Sequence, residues 1–197
     1  MSVGRNRGFN KEHALENAMM VFWKNGYSGT SLSELTQAME INKPSLYSAF
    51  GNKEQLFNQA IKFYLHQHGQ DHASHLFTGN LTTKKKVRNY LISIAKMVTN
   101  TKLPTGCFIC LTTAELASDC LPKSSSHVVE SINQQTKLGL TEFFKNELSV
   151  VNKQNESTAS AFANYIVTLQ FGLAIAGRNG SSLAELIEVI DVSVSAI

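Results

Sequence analysis

The stretch from Thr30 to Lys53, TSLSELTQAMEINKPSLYSAFGNK, constrains this chain most, because it starts and stops two short helices in one small span. Ser31 is placed to accept from the backbone N–H three residues on, and Glu34 to reach back to the amide of Ser31. This capping box satisfies two otherwise unpaired donors. Leu32, Leu35, Ala38 and Met39 recur at helical spacing and give the helix one apolar face, ending about Met39. Ile41 turns back into the core, and Pro44 fits the first position of a second helix, where its missing N–H costs nothing. There Leu46 and Phe50, i and i+4, share the buried side, which leaves Lys43, Ser45, Tyr47, Ser48 and Ala49 on other faces.

A helix, a tight turn and a second helix with small and hydroxylic residues outward form a unit suited to the major groove of DNA. A third helix follows at once, with Asn52 as N-cap, Gln55 at the N3 position and Lys53 in the first turn. A cation there opposes the helix dipole, but with the free amides it suits a phosphate.

Residues 4 to 60, and within them GTSL, PSLY.AFG and NKE.LF, resemble the DNA-binding half of the TetR family of bacterial regulators. The resemblance implies that Lys43, Pro44, Ser45, Tyr47 and Ala49 face DNA and that Ser31, Tyr47 and Lys53 contact phosphates. It implies an all-α protein with a three-helix helix-turn-helix domain over residues 1–52 and a helical effector-binding and dimerisation domain over 53–197. Many relatives have Gly in the turn where this chain has Glu40. If that turn needs a positive φ, a non-glycine residue costs roughly 1 kcal/mol, and its charge faces a polyanion.

Bulk charge argues little. The net charge is +3, and residues 1–55 carry six Lys/Arg against five acids. Any electrostatic case rests on where bases cluster. Arg5 and Arg7, just before the first helix, read either as an arm reaching a groove or as a solvated tail. No signal peptide is visible, and the apolar region YIVTLQFGLAIAG is interrupted by Gln170 and too short to span a bilayer. With three cysteines and no secretion signal, the expected compartment is the reducing cytoplasm. Prolines stand only at 44, 104 and 122 and no alternating strand pattern occurs, so every element is expected to be helical.

The first helix is expected from about Asn10 to Asn25, with Leu15, Ala18, Met19 and Phe22 inward and Gly26 as its stop. Trp23 and Tyr27 are read as closing the small core. A long helix is expected from Lys53 to about His75. Near its end His68, His72 and His75 fall at i, i+4 and i+7, which reads either as a zinc or nickel site or as polar residues at a fraying end. Lys84 to Thr99 reads as a helix whose first-turn lysines, 84 to 86, are solvated. In LPTGCFICLTTAELASDCLP, Thr105 is expected to cap a helix with Cys107 inside its first turn, where the dipole favours a thiolate.

A Gly-Cys at this point is similar to electrophile- or oxidant-responsive members of the family. A Cys107–Cys110 bridge would span less than one turn and restrain little, so modification of Cys107 itself is the expected trigger. Cys120 lies about 20 Å away along a continuous helix. The competing reading is that these thiols are core groups. Candidate effector-contacting residues are Cys107, Phe63, Met97, Phe108, Leu111, Phe143, Phe162 and Ile166.

A helix is expected from Ser124–Ser126 to about Leu148, then a polar connector VNKQNES, then helices Thr158–Arg178 and Ser182–Ala196. These last two are apolar on more than one face, which fits a four-helix interface with a second copy. Two-fold symmetry then predicts a palindromic duplex site. The leading expectation is a DNA-binding repressor released by a small-molecule or thiol-reactive effector, without cofactor or metal. Two alternatives stand beside it. One is a dimeric helical enzyme reducing peroxide with the Cys107/Cys110 pair, against which Leu111 stands where a proton-transferring histidine is wanted. The other is a dimeric scaffold without DNA affinity.

Overall fold

Caps and apolar stripes divide the chain as its local chemistry dictates. The computed structural model describes residues 8–118, 120–149 and 156–197, and among these no strand occurs. The helices are α1 Lys11–Asn25, α2 Leu32–Ala38, α3 Lys43–Phe50, α4 Lys53–Tyr64, α5 Gln70–Ser74, α6 Thr83–Val98, α7 Phe108–Leu116, α8 Lys123–Ser149, α9 Glu156–Arg178 and α10 Leu183–Ser193. A closing 3₁₀ turn covers Val194–Ala196.

The first four form the N-terminal head. Asn10 caps α1 by accepting from Glu12 and His13, and Gly26 ends it at φ 75°. Both capping boxes form, Ser31 with Glu34 and Asn52 with Gln55. Asn42, accepting from the Ser45 N–H at 2.9 Å, caps α3, which puts Pro44 at the second helical position rather than the first. Proline is tolerated there for the same reason, since no first-turn N–H has an intrahelical partner. Leu35, Leu46, Phe50, Phe22, Trp23 and Phe57 are buried together, while Leu15 and Ile41 are half-buried at the edge. Trp23 and Tyr27 close this core as expected, with Tyr27 edge-on to Phe57 at 5.0 Å.

The long helix expected from Lys53 is not uniform. A wider π turn, Leu65–Gly69, separates α4 from α5. Such turns re-aim side chains within an otherwise continuous rod. Trp23 of α1 packs edge-on against Tyr64 at 4.9 Å, the last residue of α4, and against His68 at 5.6 Å, within the π turn.

Behind the head, α8 and α9 pair along their length, with Phe144 against Phe143 at 5.1 Å and Phe162 at 5.3 Å. α6 lies across α9 and α10. Gly177 permits that approach, since a Cβ there would come within 2.8 Å of Val98. Thr82 caps α6, so the helix begins one residue earlier than expected. Lys86 is not simply solvated: it bonds Glu147 of α8 at 2.7 Å, and the Thr83 hydroxyl donates to the same carboxylate at 2.7 Å. The polar stretch 151–157 lies mostly outside the described residues; from Glu156 it is already α9.

By length and composition α9 could cross a membrane over Ser157–Arg178, contrary to the expectation that it is too short. It packs instead on four neighbouring helices, α6, α7, α8 and α10, with Gln170 bonded to the Tyr90 hydroxyl. Apolar residues remain uncovered on α9 and α10, namely Tyr165, Ile175, Val189 and Val192.

Glu40, between α2 and α3, sits at φ 55°, the left-handed region where a Cβ is strained. Glu40→Gly is expected to stabilise the fold by about 1 kcal/mol, read as a higher urea midpoint at unchanged slope. An unchanged or lower midpoint would mean that the turn is not strained.

Candidate nucleic-acid interface and buried cavity

The outer surface of the head is built on α2 and α3. Leu46 and Phe50 are buried, and this rotation turns Lys43, Pro44 and Tyr47 outward, Tyr47 being 49% exposed. Ser45 is half-buried beside them. Ala49 departs from expectation: it is half-buried and packed against the core, so it stands at the margin of the outward face.

Ser31 Oγ accepts the Glu34 N–H at 3.1 Å, which leaves its own proton to donate to a phosphate. The Ser31 backbone N–H in turn holds the Glu34 carboxyl below the ordinary carboxylate range. Lys53 does not stand free at the start of α4. Its Nζ lies over the Tyr27 ring at 4.3 Å. Burial pushes its pKa below the usual lysine value, against the pull of Glu115 and Glu34. Arg5 and Arg7 lie outside the described residues.

A cavity of about 380 Å³ lies behind the head, walled by α4, α5, α6, the start of α7, α8 and α9. Of the expected effector-contacting residues it takes Met97 and Cys107. The others point elsewhere. Phe108 is buried between Phe57 at 5.7 Å and Tyr64 at 5.6 Å. Phe143 and Phe162 belong to the α8–α9 aromatic cluster, Ile166 is fully buried, and Phe63 and Leu111 are half-buried against the core. In their place stand Tyr64, His68, His72, Tyr90, Cys110 and Gln170. The histidine spacing marked the right face of the helix, but for a different role.

His68 and His72 do not gather a metal site with His75; among the described residues no three such ligands converge. His72 Nδ1 lies 2.9 Å from Ser93 Oγ and Nε2 lies 3.3 Å from Met97 Sδ. Burial, helped by His68, pushes its pKa down to about 4, so the ring is neutral at pH 7. His68 is edge-on to Trp23 and is also held below the ordinary imidazole range by burial.

Cys107 is not inside the first turn of α7. It is the N-cap itself, with extended backbone at φ −108°, ψ 127°, and Thr105 lies before the helix. Gly106 makes that geometry possible: it sits at φ 84°, where a Cβ would come within 3.1 Å of the Ala174 carbonyl. The Tyr64 hydroxyl donates to Cys107 Sγ at 3.3 Å. With the Cys110 thiol as the leading donor and Tyr64 beside it, Cys107 is held below the ordinary thiol range, while Cys110 is pushed well above it.

The far end of α7 holds the head. The Glu115 carboxylate accepts the N–H groups of Tyr27 at 3.1 Å and Ser28 at 3.4 Å, between α1 and α2. Arg178 of α9 donates to the Lys24 carbonyl at 2.9 Å and to the Thr105 carbonyl at 3.4 Å. Cys120 is exposed, and its carbonyl accepts the Ser28 hydroxyl at 3.3 Å.

The family described as bacterial regulatory proteins, tetR family, matches residues 14–60. The HTH-type transcriptional repressor ComR of Escherichia coli K12 is 27% identical over 188 residues, covering 95% of this chain and 89% of that protein. A cysteine variant of the TetR family transcriptional regulator CifR, solved with 26-bp double-strand operator DNA, superposes with a TM-score of 0.85. It is 29% identical over 98% of this chain and 99% of that one. The chain carries a TetR-family DNA-binding region over residues 14–60. It is a DNA-binding transcription regulator and not an enzyme, so the Cys107/Cys110 pair does not mark a peroxide-reducing catalyst. BdcR of the same E. coli strain, also an HTH-type transcriptional repressor, is 40% identical over 62 residues, 32% of this chain and 32% of that protein.

The neutral His72 gives a test of the cavity wall. An unfolded imidazole binds its proton near pH 6.5, whereas the folded one resists until about pH 4. Across that window the unfolded state holds the extra proton, so stability falls as pH drops. From pH 7 to pH 5 the loss attributable to His72 is expected to be about 1–2 kcal/mol, with His72→Gln showing a correspondingly shallower decline in chemical denaturation. Identical declines in both proteins would place His72 in water.

Proposed function

We propose that this chain is a repressor that holds a palindromic operator as a homodimer and releases it when an effector occupies or reacts in the cavity. The observation that carries the reading is the outward face of α3, with Lys43, Pro44 and Tyr47 exposed over the buried Leu46 and Phe50. Ser31 and Lys53 flank it and, with Tyr47, supply phosphate donors; Ser45 faces the duplex beside them, with Ala49 at the margin and Arg5 and Arg7 preceding α1. Repression is favoured because ComR and BdcR are named repressors. Operator binding is favoured because the CifR structure is one of a complex with operator duplex.

The dimer closes through α9 and α10, whose uncovered Tyr165, Ile175, Val189 and Val192 provide apolar surface for a second copy. A two-fold axis there sets the two α3 helices about 34 Å apart, one turn of B-DNA. We divide the chain at residues 52/53, the head reading DNA and the remainder sensing and pairing, and place the protein in the cytoplasm with its DNA. No cofactor is invoked. The effector is a small neutral molecule or a thiol-reactive one, since among the described residues no Asp, Glu, Lys or Arg borders the cavity to pair a charge.

Anisotropy titrations with duplex from the region flanking the gene test this reading. Tyr47→Ala and Lys53→Ala are each expected to weaken binding by about 1 kcal/mol or more, five- to tenfold in Kd, without unfolding the protein. Lys53→Ala is also expected to reduce the salt slope by about one unit. Wild-type affinity in both variants would mean that another face meets DNA. A monomer showing no preference for any duplex would leave a scaffold without DNA affinity.

A further inference from the structure

The N-cap and the third helical position lie within one turn of each other, the relation a capping box exploits. In α7 these two positions are Cys107 and Cys110. Both are free thiols and both border the cavity. Their surroundings make them unequal. Cys107 Sγ receives the Tyr64 hydroxyl at 3.3 Å; the donors around Cys107 hold its thiol below the ordinary range, while Cys110 is pushed above it. The other titratable groups bordering the cavity are His68, His72 and Tyr90. Its remaining walls are mainly apolar, with Ile94, Met97, Leu140 and Val167 among them.

We propose that Cys107 and Cys110 are a two-thiol oxidation site for a neutral organic hydroperoxide with an apolar body, which converts the pair to a disulfide. An alkylating reagent would consume one sulfur and leave the second without a role; oxidation uses both. The Cys107 thiolate attacks the outer oxygen of R–O–O–H, forming an S–O bond as the O–O bond breaks. The alkoxide leaves and takes a proton to become R–OH. The Cys110 sulfur then attacks Cys107 S–OH; the S–S bond forms, the S–O bond breaks, and hydroxide departs as water with the Cys110 proton. Two thiols and one hydroperoxide give one disulfide, one alcohol and one water, and the reaction stops there.

Oxidation removes the negative acceptor from the Tyr64 hydroxyl, whose ring is edge-on to Trp23 of the head at 4.9 Å. It also ties the start of α7, whose far end holds the Tyr27 and Ser28 amides through Glu115. The bridge thus acts less by restraining α7 internally than by changing one of the two sulfur acceptors of a buried phenol, the other being Met97 Sδ at 3.4 Å. Only this last step rests on the proposed repressor function; the thiol chemistry stands apart from it.

The full chain is treated with one equivalent of cumene hydroperoxide and peptide-mapped without reduction, with duplex binding followed in parallel. The expected product is a peptide holding residues 107 and 110 that lacks two hydrogens. In Cys110→Ser, Cys107 is expected to gain one oxygen and to be trapped by dimedone; in Cys107→Ser, Cys110 is expected to stay reduced. Cys120→Ser is expected to behave as wild type, which keeps the result readable if a core variant folds poorly. Cys107 driven to sulfinic acid beside a free Cys110, a bridge to Cys120, or equal oxidation in Cys107→Ser would each overturn the proposal. So would faster reaction with hydrogen peroxide, which would remove the apolar substrate class. A reduced protein that binds no duplex but still forms the bridge would sink the repressor reading alone, while duplex binding without bridge formation would sink the dithiol alone.

Discussion

Tyr64 joins the two halves of the molecule. It is a buried phenol whose ring lies edge-on to Trp23 in α1 and whose hydroxyl donates to Cys107 at the start of α7. The same hydroxyl lies 3.4 Å from Met97 Sδ, so the state of the Cys107 sulfur decides how this buried donor divides between two sulfurs, and through the ring it reaches the aromatic core of the head. Burial and the neighbouring Cys107 raise the Tyr64 pKa well above the ordinary phenol value, so Tyr64 remains a donor throughout the working pH range. Around it, α4 is shared rather than linking: Phe57 packs on Phe22 in front at 4.9 Å and on Phe108 behind at 5.7 Å. Glu115 and Arg178 add two polar fasteners across the same boundary.

The head was readable almost residue by residue, because its signals are local. Ser31 with Glu34 and Asn52 with Gln55 announce helix starts within four residues, and Leu46 with Phe50 fixes which side of α3 turns inward. Even there the register slipped once. Asn42 is as good a cap as Lys43 is a poor one, and it moved Pro44 to the second helical position. Ala49 has no side chain large enough to declare its face, and packing decided it.

The cavity was harder to see. Met97 and Cys107 were found, but an apolar helix with two candidate faces does not say which one meets its neighbours. Phe143 and Phe162 went to the α8–α9 cluster, while Tyr90 and Gln170, with polar tips, took the cavity wall. The position of Cys107 depends on the approach of Gly106 to the Ala174 carbonyl, some seventy residues away in sequence, which no local pattern encodes. The π turn after Tyr64 is likewise a product of packing, since nothing in LHQHG demands it.

An effector can shift the DNA-binding state only by the difference in its interaction with the two states. In the proposed mechanism that difference runs through Tyr64 and the fasteners of α7 and α9, with the separation of two α3 helices as its output. Double electron–electron resonance between spin labels carried at position 48 of each protomer, introduced on a non-cysteine amino acid, measures that separation directly. With operator bound, the account predicts a narrow distribution set by recognition helices about 34 Å apart, and a shifted or broadened one once Cys107 is oxidised. A distribution identical before and after oxidation, in protein that has released its DNA, would contradict it.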